Sequence, residues 1–113
     1  AIRNDAQRVY SANLPNVGQV PNLPRDAVIE CPCYFDTHGV RPVFTDPMPA
    51  GLAGTLASRF QWVETTVEAA MEGSRDKFVQ ALLLDGACKS MQQAAELADE
   101  LLAAQAEHLP NFA

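Results

Sequence analysis

The stretch from Asn16 to Pro42 constrains this chain most, because it holds the one convincing β pattern in the sequence and is punctuated by Pro21, Pro24, Pro32 and Pro42, which cannot donate backbone hydrogen bonds. Two apolar, strand-like runs, Ala27 to Phe35 and Val40 to Phe44, flank Asp36-Thr37-His38-Gly39. That polar cluster ends in the residue that best tolerates positive φ, so the pair predicts a β-hairpin over about 27–35 and 40–44. Pro32 lies inside the first run and cannot donate to a ladder, which predicts an edge strand or a break at that point. Asn16 to Pro24 reads as a proline-punctuated extended segment that crosses a surface or feeds a groove. Upstream, Ile2, Ala6, Val9 and Tyr10 have rough helical spacing, which predicts a helix over Ala1 to Ala12 ending at Asn13-Leu14-Pro15.

Everything after Pro49 reads as helix. Leu52, Ala53, Leu56, Phe60, Val63, Val67, Ala70 and Met71 recur at steps of three and four and form one apolar stripe. Gly73 is placed to end that helix in a left-handed cap, and Ser74 to start the next as its N-cap. The segment Arg75 to Asp85 is nearly apolar from Phe78 through Leu84, which predicts burial on most sides. Gly86 breaks it. Ser90-Met91-Gln92-Gln93 has the form of a capping box, and an amphipathic last helix follows to about His108. The fold class expected is α+β, a hairpin packed with three to four helices.

With 113 residues there is room for one small domain or part of a larger one. A folded monomer of this size buries about 65% of the surface its extended chain exposes, enough for a modest core. The net charge of −6 opposes a phosphate backbone, so no nucleic-acid partner is expected. No run of apolar residues is long enough to span a membrane. The charged opening Ile2-Arg3-Asn4-Asp5 has no apolar signal region, and three cysteines do not make a disulfide framework, so the expected compartment is the reducing cytoplasm. The absence of an initiator Met and the helix-like opening suggest that further chain precedes Ala1.

Cys31, Cys33, Asp36 and His38 form the one cluster with metal-ligating side chains. Soft thiolates and an imidazole suit zinc or copper, but a structural site needs a second ligand pair, which the sequence lacks. The ordinary reading is two small thiols on the inward face of a strand and a turn histidine in solvent. A small metal protein using Cys31, Cys33 and His38 stands as an alternative. Glu64, Glu68 and Glu72, four apart on one helix face, read as a solvated stripe or one that meets arginine of a neighbouring subunit, with cation binding or acid–base work as the less ordinary alternative. Cys88 has no neighbouring base to activate it. No Gly-x-Gly-x-x-Gly, phosphate loop or Gly-x-Ser-x-Gly occurs, so neither a catalytic nor a cofactor-binding residue is assigned.

A family resemblance runs through the same stretch. Asn22-Leu23-Pro24, then Asp26-Ala27-Val28-Ile29-Glu30, Pro32, Asp36, Gly39 and Pro42 resemble the signature of the C-terminal region of glycoside hydrolase family 4. The match continues through Thr66-Val67-Glu68-Ala69-Ala70, Gly73, Arg75-Asp76, Gln80 to Asp85 and the closing Leu109-Pro110, and so covers roughly Asn13 to Phe112. Two departures mark a divergent member: Gly86 where the family usually has proline after Asp85, and Cys31 in place of a common valine. The resemblance implies a lactate dehydrogenase-like parent in which an N-terminal Rossmann domain holds NAD and a mixed α/β C-terminal domain closes the active site. It implies O-glycoside hydrolysis by oxidation and elimination, with manganese held by a cysteine and a histidine that lie upstream of the matching part. None of Cys31, Cys33, Cys88, His38 and His108 corresponds to those ligands.

The expectation is therefore residues 1–113 as a single C-terminal domain, lacking the Rossmann domain, inactive alone, and serving cleft completion and homo-oligomer formation. NAD, manganese and a sugar substrate belong to the full-length protein. Asn22, in the Asn-Leu-Pro motif, is the substrate-side candidate implied by the resemblance, beside the commoner role of bonding the backbone of a proline-rich turn. A standalone helical oligomerisation module is the alternative from a different class.

Overall fold

The computed structural model describes residues 2–5 and 7–112, which fall into two compact units, Ala1–Ala57 and Ser58–Ala113. The first contains a three-stranded antiparallel sheet in the order β1-β2-β3, made of β1 (Arg8–Pro15), β2 (Val28–Asp36) and β3 (Gly39–Pro42). Helix α1 (Ala50–Glu72) begins in this unit and ends in the second, where α2 (Arg75–Asp85) and α3 (Met91–Ala104) follow. The α+β class and the hairpin stand as expected, with the strands shifted by one or two residues.

Three expectations from sequence are corrected. The expected helix over Ala1 to Ala12 is instead a short 3-10 turn, Ile2–Asn4, followed by β1; Ala1 and Ala6 lie outside the described residues. The decisive periodicity is two, not 3.6. Tyr10, Ala12 and Leu14 lie opposite Cys33, Cys31 and Ile29 of β2, and pairing across an intervening loop outweighs local helical spacing. Tyr10 also meets Phe35 edge-on, with ring centroids 5.4 Å apart.

The second correction concerns Pro32, which lies in the central strand rather than on an edge. The Pro32 carbonyl accepts from the Val43 amide at 2.8 Å. A residue's N–H and C=O point to the same side of an antiparallel strand, so the donor Pro32 lacks would face β3 rather than β1. The β3 ladder pairs only Cys33 to Asp36 and has ended there, so the β1–β2 ladder loses nothing.

The third is the segment after Pro15, which folds back on itself instead of running extended. Asn16, Gln19, Val20 and Leu23 are all buried, as are Ile29, Cys31 and Cys33 on one face of β2. Asn16 organises this loop. Its Nδ2 donates to the carbonyls of Val20 (3.0 Å), Leu23 (3.0 Å) and Pro24 (3.1 Å), and its Oδ1 accepts from the amides of Gly18 and Val20, both at 3.2 Å. Its backbone carries the sheet pairing one residue further, with Asn16 N–H donating to Ala27 at 2.9 Å and Asp26 N–H to Asn16 at 3.0 Å.

At the hairpin tip Asp36 Oδ1 accepts from the His38 amide at 2.8 Å, and Asp36 pairs with Arg41. The His38 amide, and after it the Arg41 guanidinium, hold this carboxyl below the usual carboxylate range despite its burial.

In the second unit Val79, Cys88, Ala94 and Ala98 form the core, with Phe78, Leu82, Leu83, Ala95 and Leu97 packed against it. Helix α2 is thus buried on its α3 side while Leu84 stays 39% exposed, less enclosed than its composition predicts. Ser74 caps α2 by accepting from Lys77, and Ser90 caps α3 by accepting from Gln93. The capping box is displaced by one residue, for Gln93 Oε1 takes the Lys89 amide at 2.8 Å.

Gly73 ends α1 at φ 64°, with the Ser74 amide donating to Ala69 at 3.0 Å in the manner of a Schellman motif. A second constraint acts on the same glycine: a Cβ there would lie 1.6 Å from the Asn111 carbonyl oxygen. Asn111 Nδ2 in turn donates to the Ala70 carbonyl at 2.9 Å, and Phe112 meets Phe78 edge-on, so the C-terminal segment is pinned to the end of α1.

Asn16→Ala leaves several buried backbone groups without partners, and the expected loss is about 3 kcal/mol, read by urea denaturation. A loss within the range of an ordinary surface substitution, about 0.5 kcal/mol, would show the loop to be held by other means. Gly73→Ala should cost about 2 kcal/mol or more, since it must leave the left-handed region and push Asn111 away. Deleting residues 109–113 should absorb the part of that cost due to Asn111 and leave about 1 kcal/mol of left-handed strain; fully additive losses would contradict the account. Because the Asp36 pKa is depressed on folding, its contribution is present above about pH 4 and is lost as pH falls through the folded-state value. Stability of Asp36→Ala, followed by urea titration, should therefore fall less steeply below pH 4 than that of the parent chain.

Candidate functional site

Asn22-Leu23-Pro24 and Asp26 of the family signature lie in the loop between β1 and β2, which is bonded to the segment that leaves β3. Gln19 sits fully buried in this loop. Its Oε1 accepts from the Val17 amide at 2.7 Å and its Nε2 donates to the Pro15 carbonyl at 3.0 Å. The Gln19 carbonyl takes both the amide and the hydroxyl of Thr45, at 2.8 and 3.1 Å, which ties the loop to the chain after β3.

Asn22 repeats the arrangement at the surface. Its Nδ2 donates to the Met48 carbonyl at 2.8 Å and its Oδ1 accepts from the Met48 amide at 2.9 Å. The side chain therefore mimics a strand pairing with one residue of a segment that has no regular secondary structure. Next to it Asp26 holds φ 68°, a conformation rare for a residue with a side chain, and Arg25 donates to the Val17 carbonyl at 3.4 Å. The arrangement fixes backbone position. It offers no nucleophile and no acid–base pair, since carboxamides do not titrate.

The other side chains singled out from sequence do not join this loop into a reactive centre. Cys31 and Cys33 are buried, with Sγ atoms 3.7 Å apart, and the Cys33 thiol donates to the Cys31 carbonyl at 3.3 Å. Burial pushes the Cys33 thiol up, and the Cys31 thiol beside it does the same, which keeps Cys33 protonated. His38 stands 82% exposed at the hairpin turn. The structure thus separates the members of the proposed Cys31, Cys33 and His38 metal site, and among the described residues no three His, Cys, Asp or Glu side chains stand together as ligands.

Cys88 belongs to the core of the second unit, where it acts as a small apolar residue. Lys77 takes two members of the glutamate stripe, its Nζ lying 2.7 Å from Glu68 and 2.7 Å from Glu72. The hydrogen bonds that Lys77 donates to Glu68 and then Glu72 raise its pKa. His108 is exposed beside Glu107 and borders a shallow cavity of about 270 Å³ between Ala70, Met71 and the closing segment.

Asn16 and Gln19, which hold the loop together, are the residues the sequence reading passed over. A signal for them exists. A loop in which prolines delete donors and turns leave carbonyls unpaired must recruit side-chain amides, and both lie within it.

Residues 1–88 match the sequence profile of the family 4 glycosyl hydrolase C-terminal domain. A phospho-alpha-glucosidase of Clostridium acetobutylicum is 30% identical over 104 residues, which cover 92% of this chain and 23% of the relative. An alpha-galactosidase of Rhizobium meliloti is 35% identical over 111 residues, covering 94% of this chain and 23% of the relative. The structure of the 6-phospho-beta glucosidase from Thermotoga maritima with manganese, NAD+ and glucose-6-phosphate has a TM-score of 0.84 and 26% identity, over 93% of this chain and 26% of that one. The chain spans about a quarter of the length of each. From the profile match together with the shared fold, the chain belongs to family 4 of the glycosyl hydrolases, in which it corresponds to the C-terminal domain.

Proposed function

We propose that this chain is the C-terminal domain of a glycosidase that hydrolyses O-glycosidic bonds by the NAD- and manganese-dependent route of oxidation and elimination. In this reading an N-terminal Rossmann domain carries the dinucleotide, and the 113 residues complete the substrate cleft, assemble the oligomer and are inactive alone. The observation that carries the reading is the match of residues 1–88 to the family's C-terminal profile, supported by relatives named as glucosidases and galactosidases.

The residues present do not fit either cofactor. For manganese, the thiols of Cys31 and Cys33 are buried while His38 is exposed at the hairpin turn, and among the described residues no three His, Cys, Asp or Glu side chains stand together as ligands. No glycine-rich dinucleotide fingerprint occurs in the sequence. No step of the reaction is therefore assigned to NAD or manganese through this chain. Its own contribution is rigidity at the cleft: Asn16 and Gln19 freeze the loop, and Asn22 fixes Met48 as a positioning residue on the substrate side.

The test is a chimera in which this chain replaces the corresponding C-terminal quarter of the Rhizobium meliloti alpha-galactosidase. With NAD+, manganese and a thiol reductant, the chimera should hydrolyse chromogenic glycosides or their 6-phosphates, and the isolated chain should not. Asn22→Ala in the chimera should raise KM about tenfold and change kcat less, the pattern of lost substrate positioning. Turnover by the isolated chain, or a folded chimera without activity on any of these substrates, would overturn the reading.

A further inference from the structure

We propose that Cys31 and Cys33 form a reversible redox pair, a modification site at which a hydroperoxide closes an intrachain disulfide across Pro32. The inference goes beyond the proposed function, and its test reads thiols rather than hydrolysis, so either can fail without the other.

Strand geometry builds the pair. Residues two apart on a strand point to the same face, and on β2 this sets the two sulfurs 3.7 Å apart in direct contact, both of them buried. A disulfide bond is about 2.05 Å long, so closure is a short approach of groups that already face one another. Pro32 is where the strand can yield to it. Contraction between Cys31 and Cys33 acts on Pro32, which has no N–H and keeps one backbone bond there, from the Val43 amide to its carbonyl. The β2–β3 ladder begins only at Cys33, so no further pair of that ladder crosses the contracting step. The third cysteine, Cys88, belongs to the core of the other unit.

The surroundings give the two sulfurs different parts. Gln19 Nε2 faces the Cys31 sulfur at 3.9 Å, a donor toward charge on that atom, whereas the Cys33 thiol donates its own hydrogen to the Cys31 carbonyl at 3.3 Å. Cys31 therefore attacks the peroxide: its S–H proton is lost, an S–O bond forms as the O–O bond breaks, and the departing oxygen leaves as water. The Cys33 sulfur then attacks the Cys31 sulfur, the S–S bond forms as the S–O bond breaks, and the Cys33 proton leaves with the hydroxide as a second water. Two thiols lose two electrons and hydrogen peroxide gains them. With the second thiol in contact, oxidation stops at the disulfide instead of passing on to the sulfinic acid. Gln19 couples the pair to the loop, since the same side chain donates to the Pro15 carbonyl and accepts from the Val17 amide. Closure draws the Cys31 sulfur toward Cys33 and away from Gln19, so the oxidised pair weakens the hold on the loop that carries Asn22.

The experiment treats the whole chain with hydrogen peroxide below its urea unfolding transition, blocks the remaining thiols by alkylation in denaturant, and maps the products by mass. The oxidised chain should be lighter by two hydrogens, with Cys31 linked to Cys33 and Cys88 alkylated, and dithiothreitol should restore all three thiols. Cys88→Ser should close the same link. Cys33→Ser should instead hold a sulfenic acid on Cys31 that dimedone captures. Amide exchange at Val17 and Thr45, whose N–H groups end on Gln19, should quicken about tenfold on oxidation of the parent chain and return on reduction. Three alkylatable thiols after peroxide, a sulfinic acid in place of the link, a link through Cys88, or closure only once urea has unfolded the chain would overturn the redox pair. Unchanged exchange at Val17 and Thr45 in the fully linked chain would overturn its coupling to the loop.

Discussion

The first unit of this domain depends on one buried carboxamide. Asn16 sits where β1 has ended and the chain must cover the inward face of the sheet with a segment that contains Pro21 and Pro24. Burying such a segment is costly, since each unpaired backbone carbonyl or amide loses its water without gaining a partner. Asn16 meets three carbonyls and two amides with a single side chain, a task for which a carboxamide has both donor and acceptor groups. Gln19 adds the connection to Pro15 and, through its own carbonyl, to Thr45. Val20 and Leu23 can then be buried with Ile29, Cys31 and Cys33 because the polar part of the loop is already satisfied.

This arrangement explains why a signature rich in asparagine, proline and glycine occupies a part of the chain without acid–base groups of its own. Its residues set backbone geometry. Asn22 acts on Met48 as Asn16 acts on the loop, and Gly39 and Asp36 shape the hairpin tip. The second unit obeys a different logic, in which helix caps at Ser74 and Ser90, the left-handed Gly73 and Gly86, and a small apolar core fix three helices and a pinned terminus.

Much of the helical half was legible in the sequence because its determinants are local. Gly73, Ser74, Gly86 and Ser90 punctuate the chain by conformation and hydrogen bonding within a few residues, and each acts where periodicity predicts it. The sheet was legible only in its hairpin. Strand β1 is defined by partners some twenty residues away, and the segment's apolar spacing fits two periods, so local reading favoured the wrong one. Pro32 shows the same limit: its place in a central strand depends on where β3 stops. At the candidate site the motif drew attention to Asn22, while Asn16 and Gln19 became visible only once the loop's unpaired carbonyls had positions. The α1 stripe was legible as apolar, but its exposure over Val63, Val67 and Met71 was not.

The most direct test of the central claim is amide hydrogen exchange at Gly18, Val20, Asp26 and Thr45, whose N–H groups end on Asn16 or Gln19. If the carboxamide lock organises the first unit, these loop amides exchange as slowly as those of β2 and open together with it in a single cooperative step. Exchange at the rate of an unstructured peptide, with β2 still protected, would show that the loop is a passive cover and that the sheet stands without it.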